Sequence, residues 1–344
     1  LEQQIGRTRL YELHPQQILG WDHIKHRIFA KAEYENPTGS HYDRVYVPLI
    51  KTLEEEGVII PGKTPLIETS SGNAGSSFAW VCRELGYETT VIVPDNLPKA
   101  RIEDIKKYGA QIRRTPGKEY VSGAATELRR VLTEENKERK EKGLPKFWSP
   151  NHSQDMRSAN FLESIAKEIL EETEGVAIHY LILAAGNGAS ILGPGRVFKE
   201  RSPHTKIIAW EPLASGAATE MRDPGRYTDL CNVEPGTLEH KMYGTGVANV
   251  NFPMLKQAIQ GNGHLPVVDA VELATDENTL KQLYQRLGIW TKVRRTNLEA
   301  AMVMANPFRS VSRRSLSVLD QQRNFESNFF FWEDKRRLLK RNGF

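Results

Sequence analysis

One short segment concentrates residues that could bind an anion. It directly follows a strand predicted over residues 65–68 and leads into a predicted helix; its members are Ser70, Ser71, Gly72, Asn73 and Ala74. Small side chains leave backbone N–H groups accessible at the start of a helix, where they can bind a carboxylate or a phosphate. Taken alone, the segment is explained equally well as a helix N-cap with a glycine turn.

A second loop follows the strand predicted over residues 180–185. It consists of Gly186, Asn187, Gly188, Ala189 and Ser190. The glycines would let the backbone close on a phosphate, and the Ser190 hydroxyl could donate to it. A nicotinamide-dinucleotide fingerprint is disfavoured, because Ile191 stands where G-x-G-x-x-G requires its third glycine. A plain turn would explain this partial motif equally well.

A third polar loop, residues 36–44, lies between a predicted strand and a predicted helix and has the sequence Asn-Pro-Thr-Gly-Ser-His-Tyr-Asp-Arg. Asp43 and Arg44 at the start of a helix are predicted to be surface charges. His41 is predicted to be exposed to solvent or hydrogen-bonded. Nothing in this loop alone identifies a reaction.

The elements that must position these loops alternate between short strands and helices from residue 27 to about residue 212. This order is typical of an α/β protein with parallel strands. Predicted strands cover residues 28–31, 65–68, 89–93, 180–185 and 206–210. Apolar residues recur at helical spacing around Phe78 and around Ile165, which predicts two helices packed on a sheet.

Composition limits the class of protein. A chain of 344 residues exceeds what one core usually supports, so two domains are expected, and 39% hydrophobic with 26% charged residues is typical of a globular protein. The longest strongly apolar run, residues 180–185, is too short for a membrane helix. The first 13 residues lack the apolar centre of a signal peptide. With only two cysteines, the sequence predicts a cytoplasmic protein without disulfides.

The net charge of +4 is not spread evenly along the chain. Residues 308–344 hold nine Lys or Arg against four Asp or Glu, so the rest of the chain is close to neutral. A basic tail without a nucleic-acid motif is typical of a solvated surface, and neither a nucleic-acid partner nor a metal site is predicted. The aromatic cluster at residues 329–332 in this tail has no physical explanation from the sequence alone.

Taken together and in this order, the motifs resemble the cysteine synthase and cystathionine β-synthase family of pyridoxal 5'-phosphate enzymes. They are Ile5-Gly6-Arg7-Thr8, Lys31-Ala32-Glu33, Asn36-Pro37-Thr38-Gly39-Ser40, Ser71-Gly72-Asn73, the Gly186 loop, Glu211-Pro212, His240-Lys241 and Gly244-Thr245-Gly246. The resemblance covers roughly residues 1–305 and implies an α/β fold class with two three-layer α/β domains of the type II (tryptophan synthase β-like) fold. It also implies a homodimer.

The resemblance implies a division of labour between domains. Residues 1–35 and 148–305 would form a larger cofactor-binding domain, residues 36–147 a smaller substrate-gripping domain, and residues 306–344 a tail of unknown structure. Ser70, Ser71, Gly72 and Ala74 would bind the carboxylate of a small amino-acid substrate. The residues that would bind pyridoxal 5'-phosphate are Asn73, Gly186, Asn187, Gly188, Ala189, Ser190 and Gly244.

The chain departs from the family pattern at the residue that matters most for catalysis. The family has S-x-K-D-R, in which the lysine holds the cofactor covalently and moves the substrate Cα proton, whereas this chain has Tyr42 there. A phenol cannot form that covalent link, and losing general acid–base help costs about 10²–10⁴-fold in rate. Lys241 is the candidate replacement amine.

Two hypotheses therefore stay open at this point. One is a lyase- or transferase-type enzyme that performs β-elimination or β-replacement on an O-activated serine or a similar amino acid, with Tyr42 as acid or base. The other is a non-catalytic relative that binds pyridoxal phosphate or an amino acid. Fold alone does not decide between them.

Overall fold

The computed structural model describes residues 1–13, 26–70, 72–231, 234–235, 251–274 and 329–334. Three residues predicted for the site, Ser71, Lys241 and Gly244, lie outside these ranges. Within them, no helix is long and apolar enough to cross a membrane, and no three His, Cys, Asp or Glu side chains cluster in a way that could hold a metal ion.

The described strands form two sheets. In chain order they are β1 (Leu10–Leu13), β2 (His26–Lys31), β3 (Leu66–Thr69), β4 (Thr89–Pro94), β5 (Gln111–Thr115), β6 (Tyr180–Ala184), β7 (Lys206–Pro212), β8 (Ala270–Ala274) and β9 (Phe329–Asp334). The smaller sheet has the order β3-β4-β5, and the larger has the order β1-β2-β9-β6-β7-β8.

Helices connect and flank these strands. They are α1 (Asp43–Glu55), α2 (Asn73–Glu84), α3 (Lys99–Lys106), α4 (Tyr120–Arg130), α5 (Asn136–Glu141), α6 (Arg157–Glu172), α7 (Ala189–Arg201), α8 (Ala217–Arg222), α9 (Arg226–Cys231) and α10 (Pro253–Gln260). Three single 3₁₀ turns, Glu2–Gln4, Glu33–Glu35 and Gly117–Glu119, and a π-helical segment, Val131–Glu135, complete the described elements. The α/β fold class predicted from the sequence is confirmed.

The expectation of parallel strands is only partly correct. All pairs of the smaller sheet are parallel, and so are β6 with β7 and β7 with β8. In contrast, β1 pairs with β2, β2 with β9, and β6 with β9 in antiparallel orientation. The larger sheet is therefore mixed, because β1, β2 and β9 add antiparallel pairs to the parallel block of β6, β7 and β8.

Local sequence explains the central strands well. The six residues of β4 are all buried, and a continuous run of β-branched residues is typical of a strand covered on both faces of a parallel sheet. The two predicted helical stripes are also confirmed, since Phe78 and Ile165 are fully buried in the main core. By contrast, β5 was not predicted, because its sequence Gln-Ile-Arg-Arg-Thr is mostly polar.

All three strands of the smaller sheet lie within the range predicted for the smaller domain, residues 36–147. The larger sheet takes its strands from both sides of that range. The boundaries at residues 36 and 147 stay a prediction.

Candidate cofactor and substrate site

The loop after β3 is held in shape by Ser70. The Ser70 hydroxyl accepts hydrogen bonds from the backbone N–H groups of Gly72 (3.0 Å) and Gly75 (2.7 Å), and it donates to the Gly72 carbonyl (3.1 Å). These bonds tie the start of α2 to the end of β3. The Ser70 side chain therefore organises the loop, and the N–H groups around it shape any anion site there.

A buried cation lies against the same loop. Gly72 precedes the first residue of α2, and a Cβ built on it would lie 1.6 Å from Nη1 of Arg101. Arg101 is only 2% exposed, so its guanidinium group is buried against the loop. The loop thus combines a helix N-terminus with a guanidinium group, and both favour a negatively charged ligand. Asn73 is half-buried and Ala74 is buried at the first two positions of the helix.

The loop after β6 requires its second glycine. Gly188 has φ of +92° and precedes α7, and a Cβ there would lie 2.2 Å from the backbone nitrogen of Leu255. Any side chain would be strained and would collide with the start of α10. Asn187 accepts a hydrogen bond from the Ala189 N–H (3.0 Å), and Ser190 is buried in the first turn. Gly186 and Asn187 are half-buried, so the tip of the loop is accessible.

The prediction that Asp43 and Arg44 are surface charges is wrong. Asp43 is fully buried and accepts hydrogen bonds from the Thr38 N–H (2.8 Å) and the Thr38 hydroxyl (2.5 Å). Arg44 is 3% exposed and binds Glu33 and Glu168. These partners supply the hydrogen bonds and opposite charge that a buried ion needs.

Burial and charge change the acidity of this network. Burial raises the pKa of Asp43 to about 6, although the hydrogen bonds from Thr38 oppose the rise. For Glu168, burial also acts upward, but the hydrogen bond and charge of Arg44 dominate and hold its pKa at about 2. The Arg44–Glu168 pair is therefore ionised across the physiological range.

Tyr42 directly precedes α1 at the end of this loop. Its ring stacks on His41 at a centroid distance of 4.4 Å and meets the ring of His152 edge-on at 5.4 Å. Tyr42 itself is half-buried, whereas His41 is 4% exposed, so the hydrogen-bonded alternative suits His41 better than solvent exposure. The phenol lies at the border between the buried network and the accessible side of the loop.

His152 was not singled out in the sequence, because no recognised motif marks residues 149–155. The structure brings it to β3, since Trp148 forms a parallel bridge with Leu66 and the following residues run beside the strand. There His152 donates its backbone N–H to Glu68 (3.1 Å), and its Nδ1 lies 2.7 Å from the Tyr46 hydroxyl and 3.3 Å from Glu68. We call Glu68, His152 and Tyr46 the Glu68 cluster.

Lys31 is a lysine within the same part of the fold. It is fully buried, and its Nζ contacts the Thr8 carbonyl (2.5 Å), Glu172 (2.5 Å) and Glu168 (2.9 Å). Three acceptors saturate the three donors of an ammonium group. Lys31 is therefore a structural cation and does not offer an amine to a ligand.

Comparison with known proteins identifies the family. A family model described as "Pyridoxal-phosphate dependent enzyme" matches residues 1–309. The chain belongs to this family. Pyridoxal phosphate is the cofactor of the family. A phosphate suits the loop after β6, because the loop leads into the start of α7 and its tip, Gly186 and Asn187, is only half-buried.

Individual relatives agree with this assignment. A cysteine synthase of Staphylococcus aureus is 31% identical over 220 residues, which cover 64% of this chain and 63% of that protein. The match thus spans somewhat less than two thirds of the relative's length.

Two solved structures share the fold. The O-acetylserine dependent cystathionine beta-synthase from Helicobacter pylori has a TM-score of 0.70 at 24% identity, covering 89% of this chain and 90% of that one. A hydrogen sulfide-producing enzyme from Fusobacterium nucleatum has a TM-score of 0.69 at 23% identity, covering 89% and 91%. At such identities the likeness shows the type II fold.

Proposed function

We propose that this chain is a cysteine synthase-like protein that binds pyridoxal phosphate without a covalent bond to the chain. Its reaction class is β-elimination or β-replacement on an O-activated serine or a similar small amino acid, at a rate far below that of a lysine-bearing enzyme. The observation that supports the proposal is the hydrogen-bonded register of residues 38–44, and the proposal takes Tyr42 to stand at the position of the family lysine.

The register is locked from both sides of Tyr42. Asp43 is bonded to Thr38 within the loop, and Arg44 is bonded to Glu33 before it and to Glu168 on α6. If the loop shifted by one residue relative to these partners, a charged side chain would be buried without its partner, which costs several kcal/mol. The residue directly before the Asp-Arg pair is therefore a phenol, which can donate or accept a hydrogen bond but cannot capture an aldehyde as an amine does.

The two glycine-containing loops would bind the cofactor and the substrate. When bound, pyridoxal phosphate supplies an electron-accepting ring for chemistry at an amino-acid α carbon. Gly186, Asn187, Gly188, Ala189 and Ser190 would hold its phosphate, together with Gly244 outside the described residues. The β3 loop from Ser70 to Ala74, backed by Arg101, would bind the substrate carboxylate, with Asn73 near the cofactor ring.

The alternative is a non-catalytic relative that binds pyridoxal phosphate or an amino acid. Tyr42 favours it, and so does Lys31, because its ammonium group is already held by Thr8, Glu168 and Glu172. Lys241, which lies outside the described residues, is the remaining candidate amine. A cytoplasmic location and a homodimer remain predictions that the family resemblance motivates.

Spectroscopy of the purified 344-residue chain tests the proposal. The protein is loaded with pyridoxal phosphate, freed of excess by gel filtration, and titrated with O-acetylserine while the cofactor absorbance is recorded. A parallel sample is treated with borohydride and mapped by mass spectrometry. We expect retained cofactor, a spectrum that O-acetylserine changes, and no lysine adduct.

Each other outcome is informative. An adduct on Lys241 or another lysine would show that an amine replaces Tyr42 and would contradict non-covalent binding. A spectrum that no amino acid perturbs would favour the non-catalytic relative. Ser190→Ala should weaken cofactor retention, because it removes one hydroxyl from the phosphate loop, whereas Ser122→Ala on the exposed start of α4 is the matched control.

A further inference from the structure

Asn187 uses its side chain inside the loop that would bind the cofactor phosphate. Its carboxamide oxygen, Oδ1, accepts a hydrogen bond of 3.0 Å from the backbone N–H of Ala189. Ala189 is the first residue of α7, so this N–H is one of the donors that a helix start offers to an anion. The Asn187 side chain and a phosphate would therefore use the same donor.

A neighbouring hydroxyl indicates that a ligand binds at this loop. Ser190, the second residue of α7, is 8% exposed, and its hydroxyl makes no hydrogen bond within the described part of the chain. Side chains of a helix lean toward its N-terminus, so this hydroxyl is directed at the loop. A largely buried hydroxyl is costly unless it has a partner, and a phosphate oxygen would supply one.

The tip of the loop is the side from which a ligand can approach. Gly186 and Asn187 are half-buried at this tip. On the side of the Gly188 α carbon, the loop lies against the backbone of α10, because a Cβ on Gly188 would lie 2.2 Å from the Leu255 nitrogen. A phosphate therefore approaches at the tip, where the Asn187 side chain holds the Ala189 N–H.

Charge decides which acceptor the Ala189 N–H prefers. Its bond to Asn187 joins two neutral groups, whereas a bond to a phosphate oxygen is charge-assisted and roughly twice as strong. The positive end of the α7 dipole attracts a phosphate far more than a neutral carboxamide. A phosphate can thus displace the carboxamide, but it binds less tightly than it would to a free N–H, because the bond to Asn187 is lost in the exchange.

We infer that the Asn187 carboxamide is an internal competitor of the cofactor phosphate and sets the affinity of this loop. A ligand gains from the exchange when it offers a charged acceptor, so the loop selects a phosphate monoester over a ligand with a neutral hydroxyl at that place. The backbone of Asn187 keeps its place in the phosphate loop, since the competition concerns the side chain. The assignment of the phosphate to this loop rests on the proposed function.

Binding of inorganic phosphate to the cofactor-free chain, followed by calorimetry, measures the competition. Asn187→Ala removes the competing oxygen, so its dissociation constant for phosphate should fall about fivefold below that of the wild type. Asn187→Asp makes the internal bond charge-assisted and should bind phosphate more than about tenfold more weakly. Asn96→Ala, which removes an exposed carboxamide beside Gly117, is the control and should bind like the wild type. If Asn187→Ala binds phosphate no more tightly than the wild type, the inference is overturned.

The exchange of acceptors can be observed at the Ala189 amide by NMR. The chain contains four Gly-Ala pairs, so labelling with ¹³C′-glycine and ¹⁵N-alanine gives four amide signals, those of Ala110, Ala124, Ala189 and Ala217. The signal of Ala189 is identified by its loss in Ala189→Ser. In Asn187→Ala this proton should lie upfield of its wild-type position, and phosphate should return it downfield, with the other three signals as internal controls. An Ala189 signal that saturating phosphate leaves unchanged in Asn187→Ala would overturn the inference.

Cofactor retention separates this inference from the proposed function. The wild type and Asn187→Ala are loaded with pyridoxal phosphate and passed through gel filtration. If neither retains cofactor but Asn187→Ala binds inorganic phosphate more tightly, the proposed function fails and the inference stands. If both retain cofactor and the substitution does not tighten phosphate binding, the inference is overturned and the proposed function stands.

Discussion

The guanidinium group of Arg44 is bound by Glu33 through two parallel hydrogen bonds, from Nε and from Nη2, each 2.8 Å long. Glu33 precedes the polar loop and Arg44 is its last residue, so the pair closes the loop that carries Tyr42. Both side chains are almost completely buried. Such bidentate geometry fixes direction as well as distance.

Removing one partner of this pair should be costly. Glu33→Gln leaves the buried Arg44 with Glu168 as its charged partner, and we expect the free energy of unfolding to fall by about 3 kcal/mol. Urea unfolding followed by tryptophan fluorescence measures it. Asp104→Asn, which breaks the half-exposed pair with Lys107, is the control and should change stability by less than about 0.5 kcal/mol. Equal effects would mean that Arg44 is not held as described.

Acid should destabilise the protein through Glu168. Its folded-state pKa of about 2 lies below its ordinary value of 4.5, so its stabilisation is complete above about pH 5 and is lost as pH falls toward 2. The difference corresponds to about 3 kcal/mol. Glu168→Gln should be less stable at pH 7 and should lose less stability between pH 5 and pH 2 than the wild type. Parallel pH curves for the two proteins would contradict this assignment.

Asp43 should change the stability of the protein with pH in the direction opposite to Glu168. Its pKa is raised from 3.8 to about 6 by burial, so its contribution is fully present below about pH 4 and is lost as pH rises through 6. Stability of the wild type should therefore decline between pH 4 and pH 6 relative to Asp43→Asn, which does not titrate. Chemical unfolding at several pH values measures the decline. A wild type that gains stability over this window relative to the variant would show that burial does not dominate at Asp43.

Gly188 should tolerate no side chain. Gly188→Ala requires φ near +92° and brings a Cβ within 2.2 Å of the Leu255 nitrogen, so we expect a loss of more than about 2 kcal/mol and weaker cofactor retention. Gly143→Ala has φ of +68° but open space, and its loss should stay near 1 kcal/mol. Thermal unfolding compares the two variants. Similar losses would mean that the contact with α10 is not as close as described.

Local sequence patterns were enough to predict the loops of the site, but not the buried residues that pack against them. Strand ends, small residues and motif order were enough to locate the Gly72 and Gly186 loops, because these signals are local. The burial of Arg44 was missed, since its partner Glu168 lies 124 residues along the chain. His152 was missed for the same reason, because it meets Glu68 across 84 residues. Contacts between distant segments leave no periodic or composition signal in a single sequence.

The tail is a further case in which contacts between distant segments could not be predicted from the sequence. The aromatic residues at 329–332, for which sequence physics had no account, belong to β9, which pairs with β2 on one side and β6 on the other. A chain ending at residue 328 should lose stability, because two strand edges inside the sheet would lack partners. A chain ending at Asp334 keeps β9 and is the control. Equal stability of the two truncated chains would exclude a structural role for β9.

The most direct test of the account is to return an amine to residue 42. Tyr42→Lys and, as a control, His41→Lys are loaded with pyridoxal phosphate, reduced with borohydride and mapped by mass spectrometry. We predict a reduced pyridoxyl adduct on the lysine introduced at position 42, and none on the one introduced at position 41. A well-folded Tyr42→Lys protein without that adduct would contradict the placement of Tyr42 in the cofactor site.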